Sequence, residues 1–130
     1  MSVQLNHTIL AAGDAHVSAE WYAEMFGLSP PEHMPPFWQV TTANAVNLDF
    51  IDHDVAEYGE IEPRHLAFLI EEDEFDTIFG KVELRGIDYF ADPHRNQPGE
   101  INHHDGGRGV YFPDPDGHWL EIITRPYGGW

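Results

Sequence analysis

The sequence predicts an α+β domain of two βαβββ modules whose strands form a curved mixed sheet. Three observations predict it: a histidine-led strand that occurs twice, an amphipathic helix after each copy, and a carboxylate-bearing strand closing each half. Leu5-Asn6-His7-Thr8-Ile9-Leu10 and Arg64-His65-Leu66-Ala67-Phe68-Leu69-Ile70 both read as strands, and their histidines stand 58 residues apart. Val46-Asn47-Leu48-Asp49-Phe50-Ile51 and His118-Trp119-Leu120-Glu121-Ile122-Ile123 each set a carboxylate between apolar neighbours. Asp49 is thus the internal counterpart of Glu121, 72 residues on. The larger offset assigns a longer loop to the second half, the polar stretch from Asp92 to Gly109.

Between these strands lie the helices. Asp14 is placed to cap the first, with Val17, Trp21, Tyr22, Met25 and Phe26 as its apolar stripe and Gly27 at the left-handed position beyond its end. Asp73 is the expected cap of the second, with Phe75, Ile78, Phe79 and Val82 inward and Gly86 at its close. Leu28 and Ile87 start the next extended segments. Each half therefore reads strand, helix, then three strands, the modules covering about residues 4–54 and 62–125. Residues 52–63, with Gly59 and Pro63, connect them. A strand-rich unit this short cannot bury its sheet face alone, so the halves must pack together or exchange between subunits, and a homodimer is expected.

A chain of 130 residues is the length of one domain, and its 42% hydrophobic and 13% aromatic content fits a globular protein. With no cysteine, disulfides, thiolate metal sites and a cysteine nucleophile are excluded. No apolar run approaches the roughly 20 residues of a membrane helix. Met1-Ser2-Val3-Gln4 lacks the basic start and apolar stretch of a signal peptide, so a soluble cytoplasmic protein is expected. A net charge of −17 opposes nucleic acid and anionic membranes as partners, leaving a small molecule.

Nine histidines in so short a chain invite a search for metal ligands. Strand alternation puts His65, Ala67 and Leu69 on one face and the bulkier Leu66, Phe68 and Ile70 on the other, which suits the core. On the last strand Trp119, Glu121 and Ile123 point together. Two imidazoles and one carboxylate from His7, His65 and Glu121 make a set suited to ferrous or manganese ions, and equally to zinc or nickel as a Lewis acid. The competing reading makes each an ordinary strand residue, hydrogen-bonded or exposed; their corresponding places in a repeat argue against it.

The doubled βαβββ pattern with His7, His65 and Glu121, and the stretch Tyr111-Phe112-Pro113-Asp114-Pro115-Asp116-Gly117-His118-Trp119-Leu120-Glu121, resemble the vicinal oxygen chelate superfamily over roughly residues 4–125. That resemblance implies a single domain over residues 1–130, its sheet curved around a metal-binding cavity. Within the superfamily, His103 or His104, Val110, Tyr111, the Asp114-Pro115-Asp116-Gly117 turn and Glu121 are similar to the signature of extradiol ring-cleaving dioxygenases. This implies one divalent metal per site, Fe(II) favoured with Mn(II), Zn(II) or Ni(II) possible. Tyr111 would then hydrogen-bond a substrate oxygen, and His103 or His104 would donate protons or contact substrate. Asn47 and Asp49 are the polar substrate contacts, and Trp38 and Trp119 belong to an aromatic lining with Phe37, Phe90 and Tyr111.

Two features depart from many extradiol enzymes: the strand Val46-Asn47-Leu48-Asp49 carries no histidine, and many of those enzymes are twice this length, with a second, non-catalytic domain. Asp49 points instead to a glyoxalase-like lyase or isomerase with four ligands. A fosfomycin thiol transferase would need a cationic pocket, for which Lys81 and Arg85 are the available residues. A metal-free binding protein would ordinarily lack the ligand set.

Overall fold

Alternation along the first strand sends Leu10 and Ala12 into the core and leaves His7 and Ile9 on the other face. This strand, β1 (His7–Ala12), leads through the Asp14 turn into α1 (Ala15–Phe26), followed by β2 (Glu32–Met34), β3 (Phe37–Thr41) and β4 (Asn47–Asp52). After the connection come β5 (His65–Leu69), α2 (Glu72–Leu84), a 3-10 turn (His104–Gly106), β6 (Gly109–Pro113) and β7 (Trp119–Ile123). The computed structural model describes residues 2–55 and 59–128. Met1 of the N-terminal reading and residues 56–58 of the connection lie outside them. The chain divides into two compact units, Met1–Glu62 and Pro63–Trp130.

In the first unit the sheet order is β1-β4-β3-β2, with β1 and β4 parallel and the other pairs antiparallel. Asp14 caps α1 as expected, its carboxylate accepting the Val17 N–H at 3.1 Å. Gly27 ends the helix at φ 65°, a conformation that favours glycine. The buried stripe differs from the expected one. Ala15, Ser18, Ala19, Tyr22, Ala23 and Met25 face inward, while Val17 is 57% exposed. Small side chains let the helix backbone approach the sheet closely, so face position rather than side-chain size sets burial. Tyr22 fills the remaining depth, its ring 4.7 Å from Phe50.

In the second unit the order is β5-β7-β6, with β5 and β7 parallel and β6 antiparallel to β7. The strands thus pair into two mixed sheets, one in each unit. The cap of α2 is Glu71, not Asp73: the Glu74 carboxylate accepts the Glu71 N–H at 2.9 Å. Glu72, Asp73 and Glu74 occupy the first turn, where the positive end of the helix dipole favours them. Phe75, Ile78 and Val82 are buried as expected, while Phe79 is half-buried against Tyr89.

The strand expected directly after Gly86, first of the three that follow the helix, shrinks to Phe90, which bridges Tyr111 and Pro98. The Asp92 carboxylate explains this: it accepts the N–H groups of His94, Asn96 and Gln97 at 3.2, 3.0 and 2.7 Å, rolling the chain into a turn. The second module is therefore βαβββ-like, with a bridge in place of one strand. Among the described residues no helix is long and apolar enough to cross a membrane.

Candidate metal centre

The hairpin between β6 and β7 delivers Glu121. Asp114, buried, accepts the N–H groups of Asp116 and His118 at 2.9 and 2.8 Å, and Gly117 takes φ 91° to close the turn. Register then sets His65 of β5 opposite Trp119, Ala67 opposite Glu121, and Tyr111 of β6 opposite Glu121. These positions put His65, Tyr111, Trp119 and Glu121 on one face, away from Leu66, Phe68, Leu120 and Ile122.

His65 Nδ1 lies 2.9 Å from the Trp119 carbonyl oxygen. A carbonyl only accepts, so Nδ1 carries the proton, and in neutral imidazole Nε2 is left with its lone pair. That Nε2 stands 3.2 Å from Glu121 Oε1. Two acceptors at this distance require a positive species between them, a second imidazole proton or a metal ion. Donors each about 2.1 Å from one ion stand about 3.0 Å apart at a right angle and about 3.4 Å apart at the tetrahedral angle. The observed spacing falls inside that interval, and neutral nitrogen with carboxylate oxygen suits a divalent ion of intermediate softness. The pair fits a metal.

Glu121 is 1% exposed, and its second oxygen is also engaged. Tyr127 donates its phenol to Glu121 Oε2 at 2.5 Å, and Tyr111 Oη lies 3.1 Å from Tyr127 Oη. The Tyr127 proton is committed to the carboxylate, so Tyr111 donates to Tyr127. Burial, the bond to Tyr127 and the nearby Glu121 charge push the Tyr111 phenol far above its ordinary range. Burial and the Glu121 bond likewise raise Tyr127. Both stay protonated at neutral pH, and the carboxylate presents Oε1 towards His65.

His7 belongs to the first unit, at the start of β1 and opposite Asn47, with Nδ1 2.8 Å from Asn6 Oδ1. Asp49 lies opposite Ile9 and Gln39 and is buried, its Oδ1 accepting from Gln39 Nε2 at 2.8 Å. Asn47 Oδ1 accepts from Thr41 at 2.7 Å. The repeat therefore holds at the level of register: His7, Asn47, Asp49 and Gln39 occupy the places that His65, Trp119, Glu121 and Tyr111 hold in the second unit. Among the described residues no three His, Asp or Glu side chains form a metal-binding group, and His65 with Glu121 is the pair brought together.

Trp38 stands apart from the other expected substrate contacts. Its parity on β3 puts it on the helix side, opposite to the face of Asn47 and Asp49. Both faces of its indole are covered, by His16 at 3.7 Å and by His33 at 4.3 Å between ring centroids. No ring face remains for a substrate. His103 and His104 are exposed, on the loop that carries the 3-10 turn. Trp119 has a continuous aromatic setting, with Tyr111 at 6.1 Å and Phe90 at 5.6 Å.

Tyr127 and Gln39 were missed from the sequence. Tyr127 follows the final strand in a segment without periodicity. Gln39 had a signal, since the 72-residue offset that relates Asp49 to Glu121 also relates Gln39 to Tyr111.

With this arrangement in view, the family is plain: residues 4–122 match the Glyoxalase/Bleomycin resistance protein/Dioxygenase superfamily, and the chain belongs to it. Among solved structures it is similar to the oxidase ChaP-H2, 53% identical with a TM-score of 0.93, covering 99% of this chain and 98% of that one. It is also 38% identical over 123 residues to the metallothiol transferase FosB of Shouchella clausii (strain KSM-K16), covering 92% of this chain and 79% of that protein. A lactoylglutathione lyase from Agrobacterium tumefaciens shares the fold at a TM-score of 0.70 and 19% identity, covering 95% of this chain and 93% of that one.

Proposed function

We propose that this chain is a metal-dependent oxidoreductase using dioxygen on a small aromatic diol or related ring, with one divalent ion held by His7, His65 and Glu121. The observation that carries it is the facing pair of acceptors, His65 Nε2 and Glu121 Oε1, at 3.2 Å with Nδ1 already committed. His7, the repeat counterpart of His65, is the third ligand in this reading, supplied by the same chain or by the partner in a homodimer of single-domain subunits. The 53% identity to an oxidase supports oxygen chemistry. His7, His65 and Glu121 would hold a ferrous ion, which would supply activation of dioxygen beside a chelating diol; Mn(II), Zn(II) or Ni(II) also suit the donors.

The chain's own residues then bind and orient. Tyr111, its proton held on Tyr127, has oxygen lone pairs free to accept from a substrate hydroxyl. Trp119 and Phe90 offer apolar surface to a flat ring. Asn47 and Asp49 supply polar contacts from the first unit, and His103 or His104 an imidazole for proton transfer. Metal content of protein purified without chelator, followed by oxygen uptake on catechol, tests the reading. Iron or manganese with uptake abolished by Glu121→Ala supports it; a metal-loaded protein inert to oxygen with every catechol tried contradicts it.

Thiol transfer is the second reading, favoured by the 38% identity to a metallothiol transferase. Nickel or zinc without oxygen uptake, and conjugation of a thiol to an epoxide, would support it. A glyoxalase-like isomerase would instead recruit Asp49 as a fourth ligand or base.

A further inference from the structure

Only six basic side chains serve a chain of net charge −17, so each unpaired cation is conspicuous. Arg108 is held by Glu72 and Asp76 at 2.9 and 2.8 Å. Arg64, Lys81, Arg85 and Arg125 have interactions of their own. Arg95 differs: among the described residues it meets no carboxylate, and its guanidinium lies 4.0 Å from the centre of the Trp119 ring. That ring sits in the aromatic wall next to Tyr111, opposite His65 in register.

The position of Arg95 is built, not incidental. It adopts φ 60°, a left-handed conformation that residues other than glycine rarely take. The turn that imposes this is the one the Asp92 carboxylate holds through the N–H groups of His94, Asn96 and Gln97. Trp119 adds a second donor without an acceptor: its indole Nε1 is buried and has no hydrogen-bond partner among the described residues. An exposed guanidinium with no carboxylate partner among the described residues thus covers the face of a ring whose buried N–H has no acceptor among them. An anion supplies what both lack.

Spacing suggests the kind of anion. Trp119 and Glu121 are two residues apart on one strand face, so their Cα atoms are about 7 Å apart. That is close to the span from a ring hydroxyl to a carboxylate across a benzene ring. We infer that Arg95, with Trp119, forms an anion subsite that selects aromatic substrates bearing a carboxylate opposite the metal-binding oxygens. This rests on the aromatic-substrate reading above but specifies what that reading leaves open.

The test measures binding of 3,4-dihydroxybenzoate and its methyl ester, and of benzoate and benzamide, to metal-loaded protein under anaerobic conditions by tryptophan fluorescence. Charge-assisted hydrogen bonding predicts that the wild type prefers each acid over its neutral analogue by about tenfold or more. Arg95→Gln should reduce that preference below about threefold, and Arg95→Lys should retain part of it. An acid preference unchanged in Arg95→Gln, or wild-type protein that shows no preference or binds none of the four, overturns the subsite. Arg95-dependent benzoate binding without oxygen uptake on any diol would leave the subsite standing and remove the oxygenase reading.

Discussion

His65 Nε2 faces Glu121 Oε1 at 3.2 Å while His65 Nδ1 is spent on the Trp119 carbonyl, so a second imidazole proton or a metal ion must lie between the imidazole and the carboxylate. In the absence of metal that pair must take up a proton or separate. Metal removal by chelation should therefore lower Tm, and readdition of the native ion should restore it. An ion present at 100 times its Kd adds about 2.7 kcal/mol to stability. Thermal scans with and without chelator check this; an unchanged Tm across a metal titration would count against the site.

Tyr127 holds Glu121 by its second oxygen. Tyr127→Phe removes the donor to Oε2 and the acceptor for Tyr111 together. Partners of this kind are worth about 10–100-fold in metal affinity, so a weakening within that range is expected, read by competition with a metal-sensitive dye. Affinity equal to wild type would show that the phenol does not orient the carboxylate.

Asp49 is buried and already accepts from Gln39 Nε2. If it contacts substrate rather than metal, Asp49→Asn keeps one ion per chain and changes substrate binding. Metal content that falls to the level of Glu121→Ala would move Asp49 into the ligand set and favour the isomerase reading.

Asp92 governs the Arg95 turn through charge as well as geometry. Desolvation works to raise its carboxyl, but the N–H groups of Asn96, Gln97 and His94 outweigh that and hold it below its ordinary 3.8. A depressed folded value stabilises the turn above the unfolded pKa and loses that contribution as pH falls through the folded one. Carboxyl titration by NMR should find Asp92 below the usual aspartate range, and Asp92→Ala should reduce the acid preference attributed to Arg95. A normal Asp92 titration would remove the electrostatic part of this account.

Gly107 marks a close approach beside the same loop. A Cβ there would stand 2.5 Å from Arg125 Cγ and from Thr124 Oγ1. Gly107→Ala should destabilise the protein by about 1–3 kcal/mol, the usual cost of forcing extra volume into packed structure. Urea denaturation measures it, and a midpoint equal to wild type would show that these side chains yield freely.

What the sequence disclosed depended on periodicity. The two-residue repeat of strands sets which side His65 and Glu121 share, and the repeat offset alone relates Asp49 to Glu121. Parity separates Trp38 from Asn47 and Asp49, although its aromatic character alone suggests a pocket lining. Side-chain competition for the backbone was harder to see: Asp92 gathers three N–H groups and dissolves an expected strand. Likewise Glu71 takes the cap from Asp73 because the helix starts two residues earlier than a cap at Asp73 would place it. Tyr127 was invisible for a plainer reason, since it reaches Glu121 from a segment after the last strand where no pattern points.

Elemental analysis of chelator-free wild type beside His7→Ala, His65→Ala and Glu121→Ala tests the centre most directly. The account predicts about one divalent ion per wild-type chain and strong loss in all three variants. A metal-free wild type after metal-supplemented expression, or variants that keep the full complement, would contradict it.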